Sequence, residues 1–253
     1  MKLNSYPARR DPSRSNTGEQ TAESRWDDFA RIDPYTYIMT HLPQGNREAF
    51  WQSGENVVSE ELVPVICKNA VSFGTALEIG CGVGRLVFPM ATHFERVFGL
   101  DISPEMVRQA AALATQKNIT NARFLTLADY QSRPENLGLA AGSVDFIYSL
   151  LVFQHIPEFR CIKDYFELVR LLLSPRGVAY LQFDTRPLGF AYAVKNALPD
   201  FLLPRFVRRG IRRIRRTAEQ LEASFGECGL HIMENRDAAT EYNRYVLGKS
   251  SRL

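Results

Sequence analysis

An α/β fold built on a mostly parallel sheet is what this 253-residue sequence predicts, and three observations carry the prediction. From about residue 71 onward, short apolar runs rich in β-branched residues alternate with segments of helical period. One run enters a glycine-rich turn, GCGVG at residues 80–84, where the absence of side chains lets the backbone bend sharply and approach a ligand. The next run ends in Asp101, about 20 residues further on, the spacing at which a neighbouring parallel strand brings a carboxylate to the same sheet edge.

Composition narrows the class before any motif does. Hydrophobic residues at 45% and charged residues at 23% describe a globular chain, which excludes disorder, collagen and coiled coil as the main state. Apolar runs stay well short of the roughly 18 residues that span a bilayer, and the polar opening has no signal-peptide core, so the chain reads as cytoplasmic. Cys67, Cys81, Cys161 and Cys228 form no C-x-x-C pair and the four histidines are scattered, so no metal site is expected. The net charge is +3, yet residues 195–216 hold eight Lys and Arg against the single Asp200, so the positive surplus is local.

In chain order, residues 1–20 read as a flexible polar tail and residues 21–70 as a helical cap, its aromatics recurring at helical spacing with breaks at Pro34 and Pro43. Ser59 with Glu60 and Glu61 is expected to open a helix running to Asn69 and bent at Pro64. Residues 71–253 form the core. Strands are predicted at 75–79, 97–101, 123–127, 144–149 and 178–184, followed by an antiparallel pair at 230–235 and 242–248. Ser103 and Pro104 supply an N-cap and a first-turn proline for one helix. Thr217 and Gln220 form a capping box for another that Gly229 terminates. The helix after Gly84 is expected to start late or kink, because Pro89 interrupts it.

The chemistry concentrates at the strand ends. Two oxygens of the Asp101 carboxylate can accept from both hydroxyls of a ribose, and Asp129, after the third strand, could accept from an adenine amino group. Gln154, His155 and Pro157 close the loop after the strand that begins at Val144–Asp145. The glycine spacing is G-x-G-x-G, with Arg85 where a dinucleotide fingerprint has its third glycine, which weighs against NAD or FAD.

With LEIGCGVGRL at 77–86, GLDISPEMV at 99–107 and TAEQLEASFGECGLHIME at 217–234, the sequence resembles the class I methyltransferases that use S-adenosylmethionine, especially their small-molecule group, over about residues 71–253. The resemblance implies a Rossmann-like, seven-stranded, mostly parallel sheet with an antiparallel last strand, and S-adenosylmethionine as cofactor. It implies that Gly80, Cys81, Gly82 and Arg85 border the methionine part, with Leu150 lining that side. Asp101 would bind ribose, Ile102, Ala128 and Asp129 would contact adenine, and Glu78 would orient the glycine loop or the cofactor's amino group. Gly84, Met106 and Tyr37 complete the expected cofactor set, and Trp26, Phe29 and Tyr35 of the cap are read as packing residues, some of which touch ligand. In-line displacement at an activated methyl needs alignment more than a nucleophile, and the sequence has no G-x-S-x-G, Cys–His or P-loop motif.

His155 is weighed as a general base toward a substrate hydroxyl against a hydrogen-bonded structural role. Within the insertion at residues 185–216, Val207, Ile211 and Ile214 fall on one helical stripe. That segment is read as a lid with a solvated basic face, as a surface drawing in an anionic or lipid-like acceptor with peripheral membrane contact, or as an RNA contact. The reading is thus a methyltransferase acting on a small molecule, with hydroxyl the first choice of acceptor. An RNA methyltransferase, a cofactor-binding scaffold without turnover and a dinucleotide oxidoreductase are kept as alternatives.

Overall fold

The computed structural model describes residues 21–39, 46–132, 138–190, 192, 194 and 213–250. The expected tail, the break at Pro43 and the stretch 195–212 lie outside these residues. Seven strands form one sheet in the order β3-β2-β1-β4-β5-β7-β6: β1 Thr75–Ile79, β2 Arg96–Asp101, β3 Ala122–Thr126, β4 Val144–Ser149, β5 Leu173–Phe183, β6 Leu230–Arg236 and β7 Asn243–Lys249. β1 to β5 pair in parallel, and β7 runs antiparallel to both β5 and β6. The order reverses direction between β1 and β4, and this reversal opens a crevice at the carboxyl ends of the strands.

Both faces of the sheet are covered, so its central strands are apolar on both sides. Every residue of β1 is buried. Leu77 and Ile79 point into a core completed by α8 (Phe159–Leu172) and α9 (Ala218–Glu227). Ala76 points to the opposite layer, where Leu62, Val65 and Ile66 pack with Phe88 and Met90. Glu78 is the single charged residue of this strand, and a carboxylate in such a place is costly unless something binds it.

The cap comprises α1 (Ala22–Ile32), α2 (Pro34–Ile38) and α3 (Arg47–Val57). Thr21 caps α1 by accepting from the Ser24 N–H, and Asp33 caps α2 by accepting from the Tyr35 and Thr36 N–H groups, with Pro34 at the first helical position. The structure corrects the expected start at Ser59. The helix begins at Arg47, passes through one π-helical turn at Val58–Leu62 and continues as α4 (Val63–Lys68). Ser59 lies inside it, donating to the Asn56 carbonyl, so its hydroxyl follows the helix rather than opening it. The wide turn places Glu61 where its carboxylate accepts from the Tyr180 hydroxyl at 2.6 Å and pairs with Arg244.

Elsewhere the departures are local. α5 (Val87–Met90) is one turn long, as Pro89 requires. β3 ends at Thr126 because Leu127 already belongs to α7 (Leu127–Ser132). β5 starts at Leu173, earlier than predicted, with a register shift opposite Val144/Phe146. There Asp145 accepts from the Thr75 N–H and the Ser174 hydroxyl, so it ties strand starts at the amino end of the sheet, away from the crevice. Ile214 does not extend a helix: residues 213–216 are irregular, and Ile214 is buried. Gly229 has φ +72 and ends α9 as expected.

α1 is fastened to the core through α6 (Pro104–Gln116). Asp27 accepts from the Ser103 hydroxyl and, at 3.0 Å, from the Glu105 N–H, so two cap donors of α6 are met by a residue outside that helix. Asp27→Ala is expected to lower unfolding stability by about 1 kcal/mol, as loss of a helix cap does; urea unfolding of the variant beside the parent measures it, and equal midpoints would refute the role.

Candidate active site

Gly80 and Gly82 leave β1 with φ +75 and +52, a conformation that only glycine adopts without strain. Space demands glycine as well: a Cβ on Gly80 would lie 2.3 Å from the Val152 side chain, and one on Gly82 2.7 Å from Ile38 of the cap. From below, Gly54 of α3 lets the loop settle, since a Cβ there would meet the Arg85 carbonyl at 2.2 Å. The loop's amides are tied to the next strand, with the Gly80 N–H donating to the Leu100 carbonyl at 2.7 Å and the Gly82 N–H to Asp101 Oδ2 at 2.8 Å.

Asp101 Oδ1 accepts from the Ser103 N–H at 2.9 Å. Each carboxylate oxygen thus holds one backbone donor and keeps a lone pair toward the crevice. Burial pushes the Asp101 carboxyl above its ordinary range, opposed by the N–H groups of Ser103, Gly82 and Ile102. A pair of hydroxyls donating to it would restore the hydration the fold removes.

Glu78 is buried, and its Oε2 has no hydrogen-bond partner. Desolvation holds its carboxyl well above the ordinary range, against the attraction of Arg85. Arg85 is itself buried, with Nη1 3.3 Å from the Ser53 hydroxyl. The orphaned acceptor is the kind of group that a cationic ligand completes. Cys81 is buried, and burial beside Asp101 and Glu78 raises its thiol well above the ordinary range, so it fills space as a neutral small residue.

The opposite wall comes from the β4 loop and the cap. Leu151 takes φ +64, uncommon for a branched side chain, and turns the chain around the crevice. Phe153 anchors the following turn by stacking on Phe183, 5.0 Å between centroids. His155 then faces the cavity, its ring against the edge of Trp26 at 5.8 Å and its Nε2 3.3 Å from Gln154 Nε2.

The enclosed space is about 510 Å³, the size of a cofactor site. Glu78, Gly80, Cys81, Gly82, Arg85, Asp101, Ile102, Met106, Ala128, Leu150, Tyr37 and His155 all line it. Gly84 and Asp129 do not line it. Gly84 has φ +90 and shapes the turn. Thr126 caps α7: its hydroxyl accepts from the Asp129 N–H and donates back to the Asp129 carboxylate at 2.7 Å, leaving Ala128 and Gln131 on the cavity wall. Of the cap aromatics, Trp26 and Tyr37 reach the cavity, while Phe29 stacks behind Tyr37 and Tyr35 packs on Phe50 and Trp51. Ile38, Leu151, Val152, Glu23, Glu158 and Tyr165 also line it without having been singled out in the sequence. Their positions depend on how distant segments meet.

Residues 77–179 match the family model of a methyltransferase domain. The chain is 26% identical over 161 residues to a ubiquinone biosynthesis O-methyltransferase of Brucella ovis, covering 62% of this chain and 60% of that protein. It is 32% identical over 124 residues to the protein of the same name in Psychrobacter cryohalolentis, covering 48% and 45%. The chain therefore spans about 60% or less of the length of these relatives. Among solved structures, magnesium protoporphyrin IX methyltransferase from Synechocystis with bound SAH superposes with a TM-score of 0.59 at 20% identity, over 89% of this chain and 98% of that one. An S-adenosylmethionine-dependent methyltransferase from Clostridium acetobutylicum gives 0.60 at 17% identity, over 90% and 100%. Residues 77–179 are thus similar to a methyltransferase domain, and the sheet around them has the fold of these solved methyltransferases.

Glu78 yields a prediction that needs no ligand. Its folded-state pKa is raised, so its contribution to stability is fully present below the unfolded value and is lost as pH rises through the folded one. Glu78→Gln is expected to make the free protein more stable than the parent above about pH 5, with the gap widening toward neutrality. Urea unfolding from pH 5 to 8 reads it; parallel curves for the two proteins would contradict the buried, unsatisfied carboxylate.

Proposed function

We propose that this protein transfers a methyl group from S-adenosylmethionine to an oxygen of a small molecule. The observation that carries the reading is the pairing, across one cavity, of Asp101 with a lone pair on each carboxylate oxygen and Glu78 with an unsatisfied one. The first suits a ribose diol and the second a cationic amino group. Arg85, between Glu78 and the cap, is placed to meet a carboxylate. Ile102, Met106, Leu127 and Ala128 offer an apolar slot for a flat base. The glycine turn admits a ligand backbone-close, and a sulfonium suits a wall whose carboxylates outnumber its single arginine.

Bound there, S-adenosylmethionine supplies a methyl group already activated for displacement. The chain aligns and encloses the reactants, an effect able to supply about 7–11 kcal/mol of a barrier. Trp26 and Tyr37 close the cavity from the cap side and exclude water. His155 removes the proton of the acceptor hydroxyl as its oxygen attacks, a role for which imidazole is suited near neutral pH.

The relatives named ubiquinone biosynthesis O-methyltransferase support a hydroxyl acceptor. Glu23 and Glu158 on the cavity wall favour a neutral phenol over an anionic one. Exposed Leu188 and Phe190 follow β5 on the segment to which Arg215 bonds, and they favour an acceptor with a lipid-like tail. The RNA alternative has less support: Arg213 pairs with Glu241, Arg215 stacks on Tyr192 and Arg216 bonds carbonyls, so these cations face the protein.

Asp101→Asn is expected to weaken S-adenosylhomocysteine binding by about tenfold or more, since hydrogen bonds to a charged acceptor are worth about 1.5–3 kcal/mol. Titration calorimetry decides, and an unchanged affinity would remove Asp101 from the ribose site. His155→Ala is expected to leave that affinity within about twofold and to slow transfer from labelled methyl donor to a catechol, with or without a prenyl tail, by roughly 10². An undiminished rate would leave His155 structural, and no labelled product from the parent with any phenol would overturn the proposed reaction.

A further inference from the structure

The turn that carries His155, Phe153–His155, is a single 3-10 turn closed by the His155 N–H on the Val152 carbonyl and the Ile156 N–H on the Phe153 carbonyl. Residues 156 and 157 lie outside helix and strand, so their carbonyls need donors from elsewhere. They find them in residues 213–216, which cross from the end of β5 to this turn. The Ile214 N–H donates to the Gln154 carbonyl at 2.7 Å. Arg216 Nη2 donates to the Ile156 carbonyl at 2.9 Å and to the Pro157 carbonyl at 2.7 Å. The backbone is thus gripped on both sides of His155, whose own N–H donates to the Val152 carbonyl at 2.8 Å.

The grip is anchored at its far end. The Arg216 N–H donates to the Asp184 carbonyl at 2.9 Å, its guanidinium lies over the Phe159 ring at 5.6 Å, and Thr217 immediately afterwards caps α9. The neighbouring arginines are directed to carboxylates, Arg186 to Asp184 and Arg213 to Glu241, whereas the contacts of Arg216 are with carbonyls. Both bonds come from Nη2, whose two hydrogens are fixed in the guanidinium plane that lies over Phe159, whereas a lysine ammonium is not held in one orientation.

We propose that Arg216 is a positioning residue for the transfer reaction, holding the His155 imidazole at the cavity wall through the carbonyls of Ile156 and Pro157. The inference rests on the reading of His155 as the base, and a test that needs no acceptor separates the two. Trp26 touches the His155 ring by its edge, and a protonated imidazole quenches a neighbouring indole. In full-length protein carrying Trp51→Phe, leaving Trp26 as the sole indole, fluorescence is followed from pH 5 to 8. Glu23 and Glu158 face the same cavity, so His155→Gln in that background supplies the signal to subtract.

Arg216→Ala is expected to reduce the His155-dependent change by at least half while S-adenosylhomocysteine affinity, by calorimetry, stays within about twofold. Arg216→Lys, which keeps the charge, is expected to fall between, and free guanidinium added to the alanine variant is expected to restore part of the signal. With a catechol as acceptor, the same variants lower kcat with little change in the KM for S-adenosylmethionine. A His155-dependent titration in Arg216→Ala equal to that of the parent overturns the proposal, as does equal loss of cofactor affinity and signal. If the alanine variant does not fold, a parent-like Arg216→Lys overturns it. Failure of the parent to methylate any phenol refutes the reaction but leaves the fluorescence result to judge the clamp.

Discussion

One carboxylate holds the active end of the sheet together. Asp101 accepts the Gly82 N–H from the loop after β1 and the Ser103 N–H from the start of α6. Those two loops flank the crevice where the strand order reverses, and their amides have no ladder partner once the strands end. Satisfying them with a half-buried carboxylate organises the floor of the cleft in advance. The same oxygens remain partly unfilled, so in the proposed function the group that stabilises the loops would also hold the ligand. Proposed binding and observed architecture thus draw on a single set of lone pairs.

The cap completes that arrangement from outside the sheet. Asp27 reaches the start of α6 beside Ser103, and the Gln109 amide returns the contact by donating to the Ala30 carbonyl at 2.9 Å. α1 is thus moored to the very helix whose N-terminus borders the cavity. Ile38 and Tyr37 then lie over the glycine turn, and Trp26 over His155. A small residue is required at Gly82 by Ile38 as much as by backbone conformation, and at Gly80 by Val152 of the β4 loop. Any ligand enters between a sheet edge fixed by hydrogen bonds and a cap fixed largely by aromatic packing, two surfaces of different stiffness.

Much of this was legible in the sequence because it is local. Strands β1 and β4 match their predicted bounds, for buried parallel strands are short apolar runs and little else looks like them. The glycine turn and Asp101 were visible from spacing, and the Thr217 and Ser103 caps from residue type. What escaped depends on which partner a side chain takes. Asp129 stands at a strand end as a ligand-binding acid would, but Thr126, three residues away, takes its carboxylate. The arginines at 213–216 looked like a solvated face because charge alone does not reveal that carbonyls, a ring and Glu241 await them. Gly54 carries no signal of its own inside a helix, and its purpose is clear only beneath the Arg85 carbonyl.

The π-helical turn at Val58–Leu62 sets a limit on how this chain can vary. A π-helical turn holds about one residue more than a regular turn covers in the same rotation, so losing one residue there would restore regular winding and leave Val65 and Ile66 of α4 facing the sheet. What it would remove is the bulge that sets Glu61 against Tyr180 and Arg244. A further residue gained there would instead swing α4 by about 100° and turn its buried face outward, so the helix can shorten at this point more readily than it can lengthen.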